Sequence, residues 1–149
     1  MIIPFVVGCP RSGTSLLTVL LDRHSRLAML PETHLLRTFV GDRPGWQPGP
    51  THEHLLLAAW HRSWYRLRDL QLDPRVVLER MRAHSCTPEG LLHTLLELWA
   101  VRRGKAVAGE KTPQHLEVVD RILAGIPGAR VAVIVRDGRA VVDSHRRAE

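Results

Sequence analysis

The chain has 149 residues, is 44% hydrophobic, and carries a formal charge of +6 with a sequence pI near 10.6. That suffices for one buried core and one domain over residues 1–149, while no apolar run approaches the ~20 residues of a membrane span and no charged-then-apolar leader opens the chain, so a cytoplasmic protein is expected. Cys9 and Cys86 show neither metal-ligand spacing nor disulfide density, and dispersed basic residues with one Tyr and two Phe argue against a nucleic-acid partner.

The β-branched, apolar run Ile2-Ile3-Pro4-Phe5-Val6-Val7-Gly8 predicts a strand over 2–8, and the spacing of Leu16, Leu17, Leu20 and Leu21 predicts a helix over 13–24. Between them, Cys9-Pro10-Arg11-Ser12-Gly13-Thr14-Ser15 is a tight loop feeding a helix N-terminus, a geometry that turns backbone N–H groups toward an anion. Gly8, Gly13 and Ser15 keep the spacing of the triphosphate loop G-x-x-x-x-G-K-[ST], but Thr14 stands where the lysine belongs. The cation is instead Arg11, whose guanidinium can fork two donors onto a phosphate or sulfate. A plain structural turn is the competing explanation.

Leu27-Ala28-Met29-Leu30 predicts a second strand, and 33–40 a short helix. Glu32 should emerge at the sheet edge near the anion loop. There it serves either as a general base or as a carboxylate favoured at a helix start. The Pro/Gly-dense stretch 41–50 is a loop, either a connector or a lid. Helical patterns over 51–68, 74–84 and 88–103 form an insertion of about 51–103, with Pro74 and Pro88 near two of the starts. His52, His54, His61, His84 and His93 form no metal-binding pattern, so no metal is expected. Trp60, Trp64 and Trp99 fit either core or pocket wall. A short strand at 107–109, a helix over 113–126 and a buried strand over 130–135 complete the pattern, with Lys111 a solvated loop charge or a site residue. Arg136 falls at the end of that last strand, where open α/β sheets bind ligands. Asp137 can cap the following helix, Gly138 allows a tight turn, and Ser144 lies two helical turns along, able to converge with Arg136 on one phosphate. Strands alternating with helices imply an α/β fold with a mostly parallel sheet.

Three segments carry a family resemblance. Residues 9–15 resemble the 5′-phosphosulfate loop, P-[KR]-S-G-T-[TS], of sulfotransferases that use 3′-phosphoadenosine 5′-phosphosulfate (PAPS). Glu110-Lys111-Thr112-Pro113 resembles a short basic turn in the bacterial and tyrosylprotein-like branches. Arg136-Asp137-Gly138-Arg139-Ala140-Val141-Val142-Asp143-Ser144 resembles the 3′-phosphate motif R-D-[GP]-R-x-x-x-x-S. The resemblance implies a three-layer P-loop α/β fold, here cut short at its C-terminus, and transfer of a sulfuryl group from PAPS to an acceptor hydroxyl or amine without a metal. It implies that Arg11, Ser12, Gly13, Thr14, Ser15, Arg136 and Ser144 hold the donor, that Lys111 lies near the phosphosulfate bridging oxygen, and that Glu32 is the base. Glu32-Thr33 matches the E-T-R segment of the tyrosylprotein-like branch, while His34 replaces its arginine and is a secondary candidate base. A P-loop kinase or NTPase, with Asp137 as metal ligand, and a non-catalytic nucleotide-binding relative are the competing readings.

Overall fold

A computed structural model describes residues 1–39 and 51–147, with the side chains of residues 63–65 left aside. Four parallel strands form the sheet: β1 (Ile3–Gly8), β2 (Leu27–Leu30), β3 (Val107–Lys111) and β4 (Ala129–Ile134), in the order β2-β3-β1-β4. Central β1 buries Ile3, Phe5, Val6 and Val7, the β-branched and aromatic residues a sheet interior favours. The helix α1 (Thr14–Asp22) joins β1 to β2 past β3, and α6 (Val119–Gly125) joins β3 to β4 in the opposite direction past β1. Right-handed crossovers therefore set α1 and α6 on opposite faces, the α/β architecture expected from the alternating pattern. The connections from β1 and β3 diverge between these two neighbouring strands, and such a divergence opens a crevice at the strands' C-terminal ends.

Between β2 and β3 lie α2 (Leu35–Thr38), α3 (His52–Leu67), a 3-10 turn (Arg68–Leu70), α4 (Pro74–Met81) and α5 (Pro88–Arg102). Asp73 and Thr87 cap α4 and α5 by accepting from the Arg75 and Gly90 amides at 2.8 and 3.2 Å, each with proline in the next position. Leu91, Leu92, Leu95 and Leu96 of α5 are fully buried, because that helix packs on the sheet and on α3, α4 and α6 together. No helix among the described residues is long and apolar enough to cross a membrane.

The structure corrects the sequence reading in several places. Among the described residues β4 pairs with β1 alone, and Arg130, Ala132 and Val133 are exposed where a buried strand was expected; a β-branched run has the same composition in either setting. It ends at Ile134, so Arg136 stands two residues beyond it. Leu16 and Leu20 of α1 are exposed although their spacing built the helix prediction. The expected helix over 113–126 is a 3-10 turn (Pro113–Val118) followed by α6, and the tighter first turn brings the His115 ring against Glu110. The short helix expected over 33–40 begins only at Leu35, because Thr33 is turned toward Glu110 and His34 adopts a left-handed φ of 53°. Gly138 opens α7 (Gly138–Arg146) without the positive φ of a tight turn. The loop over 41–50 lies outside the described residues.

Candidate functional site

The site grows from the loop between β1 and α1. Gly8 leaves β1 with a φ of 152°, and a Cβ there would stand 2.6 Å from the Ile134 carbonyl oxygen, so only glycine lets β1 and β4 close at this end. Arg11 at φ 67° and Gly13 at φ 100° then reverse the chain into α1. Gly13 is the N-cap of that nine-residue helix, and no side chain caps it. The first-turn amides are thus left for another acceptor, at the positive end of the helix dipole. Ser12 is buried, and its Oγ has no hydrogen-bond partner among the described residues. A buried hydroxyl is seldom left unsatisfied, and this one lies within the loop between β1 and α1.

Two distant segments converge on this loop. Arg11 donates from Nε to Ser144 Oγ of α7 at 3.2 Å, and Arg136 donates from Nη1 to the Arg11 carbonyl oxygen at 2.9 Å. Parallel register aligns Val6 with Lys111, so the end of β3 lies beside the root of the loop. The largely buried Lys111 ammonium donates to Ser15 Oγ at 3.3 Å and pairs with Glu32 Oε1. Two bonded groups, Arg11 with Arg136 and Ser144, and Lys111 with Ser15 and Glu32, thereby meet at the one loop that also holds Ser12, Gly13 and Thr14.

Glu32 follows β2 and Pro31. Its Oε2 is 3.0 Å from His34 Nε2 and 3.8 Å from Arg66 Nη1. Burial pushes its carboxyl up, but the hydrogen bond and charge of Lys111, then those of His34, hold it below the usual carboxylate range. Glu32 is therefore an anion at neutral pH, and it does not cap α2, whose N-cap is His34. Burial lowers His34, and Arg66 adds to this against the opposing pull of Glu32.

Beneath this layer lies a group whose role the sequence does not reveal. Glu110 is buried in β3, where its Oε1 accepts from the Thr33 hydroxyl at 2.9 Å and the Thr112 hydroxyl at 2.5 Å. Its Oε2 is 3.0 Å from His115 Nδ1. Burial pushes the Glu110 carboxyl up, and the charge and hydrogen bond of His115, with the hydrogen bonds of Thr112 and Thr33, hold it low. The carboxylate joins Thr33, next to Glu32, to Thr112, next to Lys111. Glu110 was visible within the E-K-T-P segment, whereas Arg66, on a helix of the insertion, carried no local signal. Asp137 caps α7, accepting from the Arg139 amide at 2.9 Å, and its carboxylate also pairs with the Arg139 guanidinium.

Residues 4–148 match the model of the sulfotransferase family. Comparison with curated proteins finds no match.

Proposed function

The chain belongs to the sulfotransferase family, and from that premise we propose that it transfers a sulfuryl group from PAPS to an acceptor hydroxyl or amine. The observation that carries this reading is the convergence of Arg11, Arg136 and Ser144 at an uncapped helix start. A donor with phosphate at both the 5′ and 3′ positions needs two such anion contacts, and ATP needs only the first. The residues present fit the phosphosulfate end: unclaimed first-turn amides, a buried Ser12 hydroxyl without a partner among the described residues, and cations at positions 11 and 111.

PAPS supplies the sulfuryl group and a nucleotide bisphosphate as leaving group. In this reading Arg11 and the amides of residues 13–15 hold the 5′ end, and Arg136 and Ser144 hold the 3′-phosphate. Lys111 offsets negative charge building on the leaving oxygen, as preorganised donors do in transfer reactions. Glu32 takes the acceptor proton as the new O–S or N–S bond forms and the bond to the leaving phosphate breaks. These cations supply the neutralisation that Mg²⁺ provides in kinases. Asp137, the carboxylate a kinase reading would assign to a metal, caps α7 and pairs with Arg139.

Calorimetric titration with 3′,5′-bisphosphoadenosine, ADP and Mg-ATP tests the reading. Preferential binding of the bisphosphate, weakened by Arg136→Ala, is expected. Preference for Mg-ATP overturns it.

A further inference from the structure

A cleft of about 480 Å³ opens from Glu32 and Lys111 and runs along the outer edge of β2. Its volume falls within the range of small-molecule sites. One wall is a single face of α1, Ser15, Thr18, Val19 and Asp22, spaced at i, i+3, i+4 and i+7. The opposite side carries Trp99 and Arg103 from the end of α5, and Met29, Leu30 and Pro31 make the floor. Ser15 at the chemical end and Arg23 at the far end are separated by eight positions, roughly 12 Å of helix at about 1.5 Å per residue.

The walls are fixed by bonds that also close the strand edge. Asp22 accepts the outward Met29 amide at 2.7 Å through Oδ1 and pairs with Arg103 at 3.1 Å through Oδ2. Trp99 Nε1 donates to the Met29 carbonyl at 3.1 Å, and the Arg103 guanidinium lies over the Trp99 ring, 5.6 Å from its centre. The outward Leu27 amide is held by the His24 carbonyl at 3.4 Å, and Pro31 has no amide to offer. An extended peptide therefore finds no free strand edge to join. The floor and walls instead offer apolar surface, and among the described residues the exposed Arg23 has no ion-pair partner.

We propose that this cleft is the acceptor site. The acceptor is a small amphipathic alcohol or phenol: its hydroxyl meets Glu32, its apolar body lies over Met29, Leu30 and Trp99, and an anionic group at its other end meets Arg23. The assignment of the cleft to an acceptor rests on the sulfuryl-transfer reading.

The test uses 6-hydroxy-2-naphthoate, which carries a hydroxyl and a carboxylate at opposite ends of an apolar body, titrated into the chain saturated with 3′,5′-bisphosphoadenosine. Val19→Trp, at an exposed position on the wall, should weaken its binding about tenfold or more and leave nucleotide affinity unchanged. Arg23→Ala should weaken it about threefold, the worth of an exposed ion pair, and leave the binding of 2-naphthol unchanged. Nucleotide binding with naphthoate binding absent, or equal in Val19→Trp, overturns the cleft assignment and leaves the sulfuryl-transfer reading intact. Displacement of the naphthoate by a tyrosine-containing peptide, with Val19→Trp failing to weaken the peptide, also overturns it. Naphthoate binding blocked by Val19→Trp in a chain that binds no bisphosphate supports the cleft as a ligand site and removes the sulfuryl-transfer reading.

Discussion

Replacing Glu110 by alanine tests the buried layer beneath the site. The substitution removes the acceptor of four buried donors: the Thr33 hydroxyl at 2.9 Å, the Thr33 amide at 3.4 Å, the Thr112 hydroxyl at 2.5 Å and His115 Nδ1 at 3.0 Å. A buried donor left unsatisfied costs about 1–3 kcal/mol. The two hydroxyls can rotate toward other acceptors, so their share lies at the low end, and the total should be about 3–5 kcal/mol. Glu110→Gln keeps an acceptor for the threonines and turns an amide toward His115, which can answer by changing tautomer. About 1–2 kcal/mol is expected there. Urea unfolding measures both. The pH dependence adds a check on sign: the Glu110 carboxyl is held low in the folded state, so its contribution is present above the ordinary carboxylate range and is lost as pH falls through the lowered folded value. Glu110→Gln should therefore flatten the acid side of the stability profile. A loss under about 1 kcal/mol in Glu110→Ala, with an unchanged acid limb, refutes this account.

Three further outcomes are expected. Glu32→Gln should retain bisphosphoadenosine binding while turnover falls about 100-fold or more, the scale of a lost general base; full turnover removes Glu32 from that role. Lys111→Met removes the bond and charge that hold Glu32 low and leaves burial, which raises it, so the acid limb of the kcat/KM profile should move to higher pH; a limb that stays in place or moves down sinks the argument. Gly8→Ala puts a methyl group 2.6 Å from the Ile134 carbonyl oxygen at a φ of 152°, and should cost about 1–3 kcal/mol in chemical denaturation by parting β1 from β4, where a neutral result would contradict the close approach.

Local pattern carried much of the fold. β2 occupies the expected residues, α4 and α5 begin at the prolines that marked them, and the turn from β1 into α1 falls where glycine, proline and serine interrupt the apolar run. These features depend on backbone preferences within a few residues. The exposure of β4 among the described residues depends instead on which elements lie beside it, and Val131-Ala132-Val133-Ile134 carries the same side chains in either setting.

The site divides along the same physical line. The places of Arg11, Ser15, Lys111 and Arg136 were legible because each stands within two residues of a glycine or proline at a turn (Pro10, Gly13, Pro113 and Gly138), and that of Ser144 followed from helical spacing. Their meeting was not, since Arg11 reaches Ser144 across 133 positions and Lys111 reaches Glu32 across 79; the pairing of β1 with β4 brings the first two together, and the order β2-β3-β1 the second. α1 shows how a correct element can hide its working face. Its leucines fixed the helical period and drew attention to the side they occupy, yet Leu16 and Leu20 face outward. The stripe of Ser15, Thr18, Val19 and Asp22 turns toward β2 and the end of α5. Asp22 on that stripe is legible only in three dimensions: in sequence it is a carboxylate at a helix end, where the dipole disfavours it, and in the fold the Met29 amide and the Arg103 guanidinium both repay that position.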